Sequence, residues 1–177
     1  MRFGLAGAIV GLACAGTVLA AEPVKERNAC SLIDPADVAA VTGGKVLPGE
    51  RNDSGAVDQG GYSATCLWKI DGLSRLEKDG EPFGGMPFVM LNTIDWPAGS
   101  GMAKKYVEDF RDAAKQDLIP AAPVEVKTIG DDSLFWGDGV AVAKGDVSFG
   151  ISVHVGTDKK AEQAMEETLA RKIAPKL

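Results

Sequence analysis

The chain is expected to fold as a single-domain α+β layered sandwich, an antiparallel sheet packed with about three helices. Three observations carry that expectation. Several short runs alternate apolar and polar residues, the periodicity of strands. Other segments repeat apolar residues at helical spacing behind recognisable caps. The strands follow one another through hairpins rather than through regular strand-helix-strand units, which excludes a doubly wound parallel sheet.

The first 20 residues stand apart from that domain. Arg2 supplies a positive start, residues 3–15 are apolar, and Val18-Leu19-Ala20 offers small residues at a cleavage point, so residues 1–20 read as a signal peptide cut near Ala20. The mature protein is then periplasmic or secreted. An alternative makes it a lipoprotein acylated at Cys14 within Gly11-Leu12-Ala13-Cys14, although Gly11 stands where a lipidation box wants an aliphatic residue. No run approaches the ~20 apolar residues of an integral membrane span. Residues 21–29 form a short polar leader and residues 30–177 the single domain, a size at which one core buries about two thirds of the unfolded surface.

Charge narrows the partners. The chain holds 25 Asp and Glu against 19 Lys and Arg, a net charge of −6, whereas nucleic acid demands a basic face. Of the 3 cysteines, Cys14 leaves with the signal, and Cys30 and Cys66 remain as a pair in an oxidising compartment. A disulfide is expected between them. They lack a Cys-x-x-Cys spacing and neighbouring histidines, so a redox or metal role does not fit.

The first helix is expected from Asp34 as N-cap, Pro35 at the first position, Asp37 in the first turn and Gly43 as the stop, with Ile33 and Val38 forming a hydrophobic staple. Residues 43–63 read as a loose loop apart from a short strand over 45–47. Asn52, Asp53 and Asp58 lie within it, but their spacing is that of turns and not of an EF-hand. Residues 64–71 form a strand with Cys66, Trp68 and Ile70 on one face. A second loop follows, then a strand over 87–95 that is apolar on both faces and therefore central. Ser100 caps a helix over about 101–116, in which Met102, Tyr106 and Phe110 make a core stripe. After the Pro120 and Pro123 breakers come strands over 124–129 and from 133 to 136, then a hairpin of 139–144 and 147–155 around Gly145-Asp146. Its last strand places Val147, Phe149, Ile151, Val153 and Val155 inward and Ser148, Gly150, Ser152 and His154 on a polar face, with Gly150 marking a bulge or a close approach. Thr157 or Asp158 caps a final helix to about Ala174, with Ala161, Met165, Leu169 and Ile173 on its core side.

Chemistry is sparse. His154 is the one histidine, on a polar strand side without a nucleophile elbow or a second metal ligand, so it reads as solvated. Asp131, Asp132 and Asp138 surround Leu134-Phe135-Trp136, and paired carboxylates beside a tryptophan could serve a glycosidase, yet acidic turn residues are far commoner. There is neither a dinucleotide nor a phosphate loop motif, and the sequence implies no cofactor and no metal. Trp68 shares a face with Cys66 and reads as core. Trp96 and Trp136 sit where strands end and are the candidate ligand or partner surface.

The opening Cys30-Ser31-Leu32-Ile33-Asp34-Pro35-Ala36-Asp37-Val38, the Cys66-Leu67-Trp68 strand and the Ile129-Gly130-Asp131-Asp132 turn resemble those of a family of small exported bacterial proteins, many of them lipoproteins, of unknown function. The resemblance covers most of the mature chain. It implies the paired cysteines and an α+β sandwich, and it brings no catalytic residues. The expected function is a non-enzymatic binding or accessory module for an envelope protein or a small ligand. The alternatives are an inhibitor of a secreted hydrolase, or a weakly marked hydrolase.

Overall fold

The computed structural model describes residues 24–76, 82–119, 122–156 and 158–177. The expected signal segment, Cys14 and Thr157 lie outside the described residues. The domain is α+β, an antiparallel sheet with helices on both of its faces.

The first helix, α1 (Pro35–Thr42), begins where the sequence places it. Asp34 accepts from the Ala36 amide at 2.8 Å, Pro35 occupies the first turn, and Gly43 closes the helix in the left-handed conformation at φ 74°. Ile33 and Val38 are both buried, as a staple requires.

The short strand expected over 45–47 is present, but the rest of the loop over 43–63 departs from expectation. It runs along strand β4 (Tyr62–Asp71) and pairs with it antiparallel at β1 (Lys45–Val46), β2 (Glu50–Arg51) and β3 (Gly55–Ala56). Its Gly, Asn and Asp residues interrupt the pairing without ending it. An edge that would otherwise present free amides is thereby covered.

On its other side β4 pairs with β5 (Phe88–Asp95), which pairs in turn with β9 (Val147–His154), so β5 is central as its two apolar faces require. The sheet continues through β8 (Val140–Lys144), β7 (Asp132–Phe135) and β6 (Val124–Glu125). The strand expected over 124–129 is thus only two residues long, because Thr128 takes φ 71° and turns the chain. Gly145, at φ 57°, makes the tight turn between β8 and β9.

Helix α2 (Met102–Lys115) lies on one face over β7, β8 and β9, while α1 and α3 (Lys159–Ile173) lie on the other. Gly101 occupies the N-cap position of α2, and Ser100 just before it accepts from the Met102 amide at 3.3 Å. This second covering explains the largest departure along β9. Ser148, Gly150 and Ser152, expected on a polar face, are all buried, Gly150 against Tyr106 of α2 and the Trp136 ring. Ser148 is satisfied there by the ring N–H of Trp96, which donates at 2.9 Å.

Beneath α1 and α3 lies the main core, with Trp68, Leu91, Phe149, Ile151 and Leu169 fully buried. The Cys30–Cys66 disulfide ties the segment ahead of α1 into it. The chain before Cys30, expected as a leader, also joins the domain. Arg27 is buried, and its guanidinium donates to both carboxylate oxygens of Asp95 at 2.7–3.2 Å.

Candidate functional site

Where α2 stops covering the sheet, the same face continues over β5 and the end of β9 as an open groove. Its volume is about 500 Å³, within the range of ligand sites. Phe88 and Met90 from β5 and Ser152 and His154 from β9 form the floor, because odd and even positions of a strand point to opposite faces. Trp136 and Asp138, from the turn between β7 and β8, stand at one side, and Phe83 at the other.

Two glycines leave the Trp136 ring its room. A Cβ on Gly139 would sit 2.3 Å from the Trp136 ring and 2.7 Å from the Ile151 carbonyl oxygen. One on Gly150 would sit 3.0 Å from the Tyr106 hydroxyl and 3.6 Å from the same indole. Gly150 keeps the regular register, opposite Asn92 and Ala141, so it marks a close approach and not a bulge. Behind Trp136 the Phe110 ring stacks at 4.8 Å. Burial raises the Tyr106 phenol to about 12, which keeps it protonated at physiological pH.

The opposite wall is held by backbone. Phe83 takes φ 57° and is followed by Gly84 and Gly85 at φ 68° and 72°, a run that also needs the Arg75 guanidinium on the Gly84 carbonyl at 2.7 Å. The ring contacts Phe88 edge-on at 4.9 Å and stays 45% exposed.

His154 is not the solvated histidine expected of it. Its imidazole stacks on Phe88 at 4.6 Å, and Nε2 lies 3.6 Å from Asp138. Asp138, at the polar end of the groove, also accepts from Lys159 at 2.9 Å.

The two tryptophans singled out from sequence are placed differently. Trp136 is in the groove. Trp96 is 9% exposed, packs with Val107 and Leu134, and borders a smaller hollow of about 130 Å³ beside Asp95 and Pro97.

The aspartates are occupied one by one. Asp131 accepts from the Gly145 amide at 2.7 Å and from Lys144 at 3.0 Å, which together hold its carboxyl below the usual range. Asp132 receives two bonds from Arg111, the principal cause of its lowered pKa. Arg111 also binds Glu108 and Glu125, so this cluster fastens α2 to β6 and β7. Asp53 is held by Arg51 and by the Tyr62 hydroxyl. A further hollow of about 400 Å³ between Ile129 and Pro175 contains Lys144 and Arg171, each already paired with an acid.

No family model, curated protein or solved structure matches this chain. The groove must be read from its own chemistry. It was half visible in the sequence. Trp136 and Asp138 stood out as types, but Phe83, Phe88 and Met90 converge only because β5 is central and α2 stops short of it.

Proposed function

We propose that this protein is an exported, non-enzymatic binding module of the cell envelope, and that its ligand sits in the groove between Phe83 and Trp136. The observation that carries the reading is the groove itself, a largely apolar cavity with Ser152, His154 and Asp138 gathered near Trp136. Envelope location draws support from the signal-like start of the chain and from the Cys30–Cys66 disulfide, and no helix among the described residues is long and apolar enough to cross a membrane. A hydrolase working through Asp131 and Asp132 draws none from their contacts, since each carboxylate is held in its own ion pair.

Dialysis of the mature, oxidised protein against an envelope extract, followed by mass spectrometry of what it retains, tests the proposal. The expected result is a small molecule kept unchanged by the wild type and lost from Phe83→Ser. Retention indifferent to that variant, or conversion of the molecule with time, would overturn it.

A further inference from the structure

We infer that the groove takes a flat aromatic small molecule without negative charge, its ring between Phe83 and Trp136 and a hydrogen-bond donor directed at Asp138. The inference rests on the reading of the groove as the ligand seat and adds the chemical class of the ligand.

Shape comes first. Phe83, Phe88, His154, Trp136 and Phe110 already meet in edge-on or stacked pairs with ring centres 4.6–4.9 Å apart. A further π system can continue the same offset and edge-on contacts, and Met90 adds a polarisable sulfur to the floor. Phe83 makes the stronger case. It is a large apolar residue, exposed, held at φ 57° in the left-handed region that a non-glycine side chain disfavours. Gly84 and Gly85 follow it in the same region, and a Cβ on Gly85 would meet the Leu76 carbonyl at 2.9 Å. The Arg75 side chain and the Leu76 amide bind the carbonyls of these two glycines at 2.7 and 2.8 Å. These contacts brace residues 83–85 and with them the Phe83 ring at the side of the groove.

Charge comes second. The cation nearest the polar end, Lys159, is shared between Asp138 at 2.9 Å and Glu162 at 3.5 Å. His154 faces the same Asp138. An incoming anion would meet carboxylates whose partner is already engaged, whereas a hydroxyl, amine or N–H can donate to Asp138, which remains half exposed.

A pair of probes with one skeleton separates the terms. N-phenyl-1-naphthylamine is flat, uncharged and carries one N–H; 1-anilinonaphthalene-8-sulfonate adds a sulfonate. Fluorescence titration of the mature protein is expected to show one saturable site for the amine, binding it about tenfold tighter than the sulfonate, with Phe83→Ser weakening the amine about fivefold or more. Asp138→Asn, at an exposed position, should narrow the preference for the amine. Equal or tighter binding of the sulfonate overturns the class. So does groove binding of an oligosaccharide or a linear alkyl alcohol, mapped by NMR shifts at Met90 and Ser152, in the absence of amine binding; both outcomes leave the groove as the seat. If none of these probes shifts the groove resonances, the seat and the class fail together.

Discussion

Glu166 Oε1 accepts the backbone N–H of Val153 at 2.9 Å, at a point where β9 has outrun its neighbour. Strand β8 begins at Val140, opposite Ile151, so the amides of Val153 and Val155 on that side have no strand to meet. Two carboxylates one helical turn apart on α3 replace it, Glu166 at Val153 and Glu162 at Val155. Each caps a buried donor that would otherwise cost free energy.

The arrangement gives stability a pH dependence. Glu166 is 2% exposed and its Oε2 has no hydrogen-bond partner, so burial raises its pKa from 4.5 to about 8, against the Val153 N–H, which lowers it, and with a smaller push upward from the nearby Glu162 charge. The carboxyl is protonated in the folded protein at neutral pH, while the unfolded chain ionises. Stability contributed by the protonated group is full below about pH 4.5, falls as pH rises through the window up to about 8, and changes no further above it, with a slope approaching ~1.4 kcal/mol per pH unit. Glu166→Gln keeps the acceptor for Val153 and cannot ionise. Urea unfolding at pH 5, 7 and 9 should show a shallower fall for the variant, and parallel curves would refute the assignment.

The Arg27–Asp95 pair has side chains only 9% and 7% exposed. Removing one partner strands the other charge, so Arg27→Met is expected to cost about 3–5 kcal/mol, while Arg27→Met with Asp95→Asn should recover much of the loss. A chain shortened to begin at Asn28 should match the single variant. Chemical denaturation of the three forms checks this, and an unaffected single variant would show that the segment before Cys30 is ornamental to the fold.

The disulfide spans 36 residues of sequence, a loop whose closure in the unfolded chain is worth about 4 kcal/mol. Replacing Cys30 and Cys66 together by serine should lower unfolding stability by about that amount. The loss should be largest around α1 and β4, which hydrogen exchange can resolve.

What was legible in the sequence follows the range of the interactions. The α1 cap, the Gly145 turn and the centrality of β5 depend on neighbours in the chain or on the strand's own pattern, and they were readable. Glu162 and Glu166 were not, although with Leu169, Ala170 and Ile173 they complete one helical face, because a charged residue on a core face is recognisable only when the amide it caps is known. The burial of Ser148 and Ser152 in β9 is hidden for the same reason, since nothing local announces what packs on that face. Arg27 looked like part of a polar leader until Asp95, 68 residues away, supplied its counter-charge.

Gly139 offers the most direct probe of how the groove is built. A methyl there would stand 2.3 Å from the Trp136 ring and 2.7 Å from the Ile151 carbonyl, and neither the sheet backbone nor an indole backed by Phe110 can yield that distance freely. Gly139→Ala is therefore expected to push Trp136 off Gly150 and to destabilise the fold by about 1–3 kcal/mol, the cost typical of overpacking. Gly150→Ala faces a milder conflict, 3.0 Å from the Tyr106 hydroxyl, and should cost less while still lifting the indole. Both should red-shift the tryptophan emission as Trp136 becomes wetter, and both should weaken any ligand that Phe83→Ser weakens. If Gly139→Ala unfolds the protein outright, Gly150→Ala still reports: a folded variant with unchanged emission and unchanged binding would mean that Trp136 does not need its seat on the sheet.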